Sequence, residues 1–299
     1  MNHFFSEQTS SQRRPSFLFS TTFLIGIMFL YSLAGFLLLF VLTGTVFAGF
    51  EPAWRDDSLT GPIRLVQVLS QVLVLALPVV VLAGLHAGGE FLGFLGIRRN
   101  VSWEQVGYAL SGLCCLLPLL SSIAELQNLF LWPSLGSFGR EVLESRQLME
   151  ELTGKLASIG SVPEVFVVPV VLALTPACCE ELFFRGYLQQ NYYRVLGPAG
   201  SVLFTGCIFA VFHLSVADFV PLALLGWYIG YIFMKSGNLA VPFAVHLFNN
   251  LLALVFLQAV SFWELSGVRL VFSPWWWIIV IVTLFLFVSV MRRFRAACS

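Results

Sequence analysis

The chain of 299 residues is 58% hydrophobic and only 11% charged, with a mean hydropathy of +0.88, which excludes an ordinary soluble domain and indicates a membrane protein. Sixteen basic and sixteen acidic side chains cancel, so the chain offers no basic surface for a nucleic-acid backbone. The six cysteines, Cys114, Cys115, Cys178, Cys179, Cys207 and Cys298, lie in or beside apolar runs and form no CxxC pair, so they read as small packed hydrophobes and not as metal or disulfide sites.

A membrane span needs about 20 mostly apolar residues. Punctuated by charges, prolines and glycines, the chain offers eight: Phe17 to Phe50, Ile63 to Leu85, Val106 to Leu129, Val162 to Cys179, Ala199 to Ala217, Val220 to Met234, Leu239 to Phe262 and Trp275 to Met291. The fourth either ends at Cys179 or continues through a charged stretch as far as Tyr193. The first lacks a small-residue cleavage motif and reads as a retained helix. The expected fold is an all-α polytopic transmembrane helical bundle of about eight spans. Its expected divisions are a tail over 1–16, N-terminal helices and an external connector over 17–161, a core over 162–262, and a last helix with a basic tail over 263–299.

Basic residues set the orientation. Arg13, Arg14, Arg98, Arg99, Arg194, Lys235, Arg292, Arg293 and Arg295 fall on one side of an eight-span chain, whereas Glu51, Asp56, Asp57, the segment Arg140 to Lys155, Asp218, Glu264 and Arg269 fall on the other. Both termini are therefore expected in the cytoplasm. Before the third span, Ser102 is the expected helix cap. After it, Gly139 to Lys155 has helical charge spacing, with Glu141, Glu144 and Arg146, and is expected to be a helix at the external interface.

Three polar groups interrupt the apolar background. In "CCEELFFRGY", Glu181 and Arg185 stand four apart and can pair on one helix face, while Glu180 points about 100° away with no local cation. Glu180 is thus the better general base and the Glu181 and Arg185 pair its support; the same stretch also suits a snorkelling charge cluster at a helix end. In "FAVFH", His213 suits an interhelical hydrogen bond as well as catalysis. In "HLFNN", His246 and Asn250 share a face one turn apart and could grip a carbonyl oxygen that becomes negative. Together these groups could hydrolyse an amide with activated water. Alternatively, Glu180, His213 and His246 could bind a catalytic divalent metal, zinc above all, since two histidines and a glutamate form an accepted ligand set. The residue types leave both routes open. Intramembrane carboxylates and histidines also serve proton- or ion-coupled transporters, although no internal repeat supports that here.

The ordered set "EELFFR", "FAVFH" and "HLFNN", with the linker "GWYIGYIFMKSGNLAVPFAVH", resembles the EExxxR, FxxxH and HxxxN signature of the CPBP family of CAAX-processing and bacteriocin-processing intramembrane proteases. The resemblance covers the chain from about Val162 to Phe262. It implies that Glu180 and His213 activate water and that His246 and Asn250 form the oxyanion pocket. Glu181 and Arg185 would support the site and Phe209 would pack behind His213. It further implies a membrane-associated peptide or protein substrate, residence in a membrane, expected to be the bacterial cytoplasmic membrane, and kinship with enzymes that look glutamate-dependent and metal-free, with none of this fixing the substrate. A non-catalytic scaffold or immunity protein of the same family is the alternative.

These spans place the motifs at conflicting depths. With the fourth span ending at Cys179, Glu180 sits at the cytoplasmic boundary, His213 toward the opposite end of the fifth span, and His246 only about 10 Å inside the seventh. A break at Pro176 that lets the glutamates re-enter the bundle, or a displaced fifth helix, would reconcile these depths.

Overall fold

The computed structural model describes residues 14–44, 56–263 and 271–299. The expectations for the tail before Arg14, for Arg13, for the end of the first span at Phe50, and for Glu51, Glu264 and Arg269 lie outside the described residues. Within them the chain is helical: α1 (Phe17–Thr43), α2 (Asp57–Phe94), α3 (Trp103–Ser134), α4 (Gly136–Ala157), a run from Glu164 to Phe212, α7 (Phe219–Ser236), α8 (Ala240–Trp263) and α9 (Pro274–Ala297). All except α4 are long and apolar enough to cross a membrane, which makes seven such helices among the described residues.

The run from Glu164 to Phe212 has 49 residues, about 74 Å of helix at the normal rise and more than twice the hydrocarbon thickness. It cannot be one crossing. At Gly197 the backbone adopts φ 68° and ψ −175°, a conformation open to glycine, and Pro198 follows. Ring contacts show the reversal there: Tyr192 meets Phe204 at 4.9 Å, Phe184 meets Phe209 at 5.3 Å and Phe183 meets Phe212 at 6.1 Å. Each pair straddles Gly197 almost symmetrically, so residues 164–196 (α5) and 198–212 (α6) form a helical hairpin. The described chain thus makes eight passages.

Of the two ends expected for the fourth span, this hairpin bears out the one that continues through the charged stretch, and it removes the depth conflict. α5 does not end at Cys179; it runs on to the turn, and Glu181 and His213 stand at similar distances from Gly197 on opposite arms. Pro176 does not break it either. Instead, the five residues Val170–Leu174 widen to a π-helical turn immediately before Thr175 and Pro176. The same order recurs where Gln71–Ala76 precedes Pro78 and Gln127–Leu131 precedes Pro133. A proline ring clashes with the carbonyl four residues back and donates no bond to it, and a wider turn moves that carbonyl aside.

The two ends of the bundle differ in charge. At one, Arg14 Nη2 donates to Phe94 O at 2.7 Å, Arg194 Nη1 to Arg14 O at 3.2 Å, Asn238 Nδ2 to Asn100 O at 3.0 Å and Gln105 Nε2 to Ala297 O at 2.9 Å. Burial and the neighbouring Arg194 push the Arg14 guanidinium down to about 10, still cationic at neutral pH. At the other end, Arg64 pairs with Glu164 at 2.7 Å and Gln258 Nε2 donates to Ala157 O at 2.6 Å, tying α4 onto α2, α5 and α8. Arg14 and Ala297 share the basic end, as an even number of crossings requires. Ser102 caps α3 as expected, its Oγ accepting from Gln105 N at 3.3 Å.

Inside, one packed cluster joins α1, α2, α5 and Phe209, and another joins α3, α7, α8 and α9. The cysteines are not uniformly buried: Cys179 is, but Cys114 and Cys178 are exposed on the bundle exterior, which corrects the reading of all six as packed; all six are free thiols. Because lipid is as apolar as leucine, close backbone approach does much of the packing between helices. A Cβ on Gly226 would stand 2.9 Å from the Gly206 backbone, and one on Gly206 would collide with Trp227. Gly206→Val should therefore lower the unfolding temperature in detergent by several degrees, whereas Gly84→Ala, where a Cβ meets nothing within 4 Å, should leave it unchanged or raise it.

Candidate functional site

α5 carries its charges through the seam between the two packed clusters. Glu181 and Arg185 are fully buried, at 0% exposure, and Glu180 is at 6%. Arg185 Nη1 donates to Glu181 Oε1 at 2.9 Å, and its Nη2 donates to Gly226 O on α7 at 3.1 Å. The guanidinium carbon also lies 4.8 Å from the centre of the Phe209 ring. The segment Leu182–Gln189 is π-helical without a proline to explain it, and Gln189 Nε2 donates to Gly230 O at 2.9 Å. These two bonds to α7, one helical turn apart, hold the widened turn against its neighbour.

His246 on α8 closes the group. Its Nδ1 lies 2.7 Å from Glu181 Oε1, the same oxygen that accepts from Arg185, and its Nε2 lies 4.0 Å from Glu180 Oε2. A carboxylate bound to a guanidinium only accepts, so the bond assigns the Nδ1 proton to His246 and leaves Nε2 facing Glu180. Gln71 Nε2 on α2 donates to the other Glu180 oxygen at 3.1 Å, and Tyr31 on α1 stands alongside Gln71 and Glu180. Glu180 Oε2 has no hydrogen-bond partner among the described residues. The Arg185 guanidinium offsets the charge of Glu181, which matters because an uncompensated charge in this environment is expensive.

The remaining residues stand further out. His213 is the exposed cap of α6; its Nδ1 lies 2.7 Å from Phe209 O, and its ring centre lies 4.5 Å from that of Phe209. Phe209 in turn meets His246 edge-on at 5.7 Å. Among the described residues no hydrogen bond or ion pair joins His213 to Glu180. Asn250 is half-buried one turn beyond His246, accepting from Asn249 Nδ2 at 3.4 Å. The structure thus gathers Glu180, Glu181, Arg185, His246 and Phe209, reaches His213 through Phe209, and leaves Asn250 beside its neighbour on α8.

The zinc alternative is corrected by this arrangement. Among the described residues no group of three or more His, Cys, Asp and Glu side chains is placed to hold a metal ion, and the candidate set of Glu180, His213 and His246 does not converge. His213 directs Nδ1 to its own helix, while His246 commits Nδ1 to Glu181. Gln71 was missed in the sequence. It is a buried amide within an apolar span, and the rule that singled out the glutamates would also have found it.

A family model described as Type II CAAX prenyl endopeptidase Rce1-like matches residues 162–252. That interval begins before α5 and ends just after Asn250, so it contains every residue of the three motifs. No curated protein and no solved structure matches the chain.

Removing Arg185 would leave Glu181 charged, buried and paired with His246 alone. Arg185→Ala should destabilise the fold by about 3–5 kcal/mol. Denaturant unfolding in detergent checks this. Arg185→Lys should recover only part of the loss, because an ammonium is a point charge without the planar fork that reaches Glu181 and Gly226 together.

Proposed function

We propose that the chain, matched over residues 162–252 by the CAAX endopeptidase family model, is an intramembrane endopeptidase using glutamate-activated water. The observation that carries this reading is the environment of Glu180: a buried carboxylate with one oxygen steadied by Gln71 and the other unpartnered, 4.0 Å from His246 Nε2. A water between those atoms could lose its proton to Glu180 while its oxygen attacks the scissile carbonyl. The carbonyl oxygen becomes negative as the new C–O bond forms. His246 Nε2–H, in the imidazolium supported by Glu181, and the Asn250 amide would stabilise it. Glu180 then returns the proton to the leaving amine as the C–N bond breaks. His213 would act with Glu180 on the water, as the family motif implies.

The substrate class that fits is a membrane-associated peptide or protein, of CAAX type or a peptide precursor. The basic end of the bundle would face the cytoplasm by the positive-inside rule, in a bacterial cytoplasmic membrane. No step in this scheme passes through a metal ion.

The purified protein, assayed with a fluorogenic farnesylated peptide ending in a CAAX sequence, should cleave it, and Glu180→Gln should reduce the rate by about 100-fold or more while the variant remains folded in the membrane. Wild-type turnover by Glu180→Gln would end the proposal. Full physiological function of that variant in cells would favour the non-catalytic scaffold or immunity role instead. Elemental analysis of the active enzyme should find no stoichiometric divalent metal.

A further inference from the structure

His213 ends α6, and the residue after it has an unusual backbone. Leu214 has φ 53°, the sole positive φ at a non-glycine position among the described residues, and the side chain is 73% exposed, so its own packing does not hold it there. A leucine is rarely found in the left-handed region, and such a conformation persists only when surrounding contacts over-determine it. Those contacts are present in the next four residues. Ser215 Oγ donates to Asp218 Oδ2 at 2.7 Å, and Asp218 N donates back to Ser215 Oγ at 3.3 Å, closing the turn on itself. Asp218 Oδ1 meets Arg146 Nη1 of the external helix α4 at 3.4 Å. Ala217, 1% exposed, packs against Trp132 and Val142.

We propose that Arg146 is a positioning residue for the reaction: by anchoring Asp218 to α4, it holds the strained turn that fixes the direction of His213. The inference rests on the reading of His213 as part of a hydrolytic site. Its physical content is that α4, which the sequence presents as a mere connector, is part of the scaffold of that site. α4 is itself held at its far end, where Arg64 donates to Leu156 O and Ser158 O at 2.9 and 2.6 Å. It therefore offers a fixed point from which to pull. Without the Arg146 contact, Leu214 can relax to negative φ and the imidazole leaves its place against Phe209. Arg146 also pairs with Glu150 at 2.7 Å, on its own helix, where the Glu150 side chain is 61% exposed. That pair serves as an internal control.

The test compares wild type, Arg146→Ala, Asp218→Ala, the double variant, Arg146→Lys and Glu150→Ala, with the fluorogenic farnesylated CAAX peptide as probe and hydrogen exchange of the 213–219 backbone as a second readout. The expected result is a fall in kcat of about tenfold with KM unchanged in either alanine variant, no further fall in the double variant, and faster exchange across 213–219. Arg146→Lys should recover much of the rate and Glu150→Ala should match wild type. Leu214→Gly, which accepts the left-handed conformation without strain, should restore part of the rate to Arg146→Ala. Unchanged exchange in Arg146→Ala overturns the anchoring, and faster exchange with unchanged kcat overturns the positioning role. Effects of the two alanine substitutions that add in full also contradict it, because residues acting through one contact do not add. Loss of cleavage in His213→Ala separates this inference from its premise: if that variant keeps wild-type kcat, the catalytic reading of His213 has failed, whereas if it loses activity and Arg146→Ala does not, the positioning inference alone has failed.

Discussion

One oxygen organises the site. Glu181 Oε1 accepts from Arg185 on its own helix and from His246 on α8, at 2.9 and 2.7 Å, with all three side chains almost wholly buried. In so buried a place each partner is needed by the others: the guanidinium keeps Glu181 an acceptor, the acceptor sets the imidazole tautomer, and the imidazole brings Nε2 to Glu180. Charge-assisted bonds of this kind are strong but also directional, so they fix the rotation of α5 and α8 about their axes as well as their separation. The Arg185 bond to Gly226 extends the same chain of contacts to α7.

The rest of the fold can be understood as what lets that group sit mid-bundle. Gly206 and Gly226 bring α6 and α7 together without side chains between them, so that backbone carbonyls on α7 are within reach of Arg185 and Gln189. The turn at Gly197 places the two motifs of the hairpin at one level. Phe209 fills the space between His213, His246 and Arg185, a flat ring that meets two imidazoles and a cation. Such a ring supplies contact to each without competing for their hydrogen bonds.

Much of this was legible in the residues. The apolar runs predicted eight passages, the basic residues predicted that Arg14 and Ala297 would share an end, and the spacing of Glu181 and Arg185 predicted their pairing. The residues left two ends open for the fourth span, because hydropathy scores Glu180, Glu181 and Arg185 as if each faced lipid alone. Paired with one another and with His246, they do not end the span; they are its interior. Pro176 misled for a related reason: a π-helical turn, invisible to composition, absorbs it. The convergence of the zinc candidates could not be read either, since it depended on where each imidazole spends its Nδ1. The roles of His213 and Asn250 came from motif resemblance, and their positions relative to the buried group belong to tertiary structure.

The central claim is that Glu181 fixes the Nδ1 proton of His246 and thereby turns Nε2 toward Glu180. Nitrogen-15 NMR of histidine-labelled protein in detergent addresses it directly, with the His246 signals assigned by their loss in His246→Asn. The account predicts a protonated Nδ1 in the native protein, and loss of that fixed proton position in Glu181→Leu, which cannot accept the bond. A His246 ring whose proton resides on Nε2 alone in the native protein, or whose tautomer is unchanged in Glu181→Leu, would contradict it.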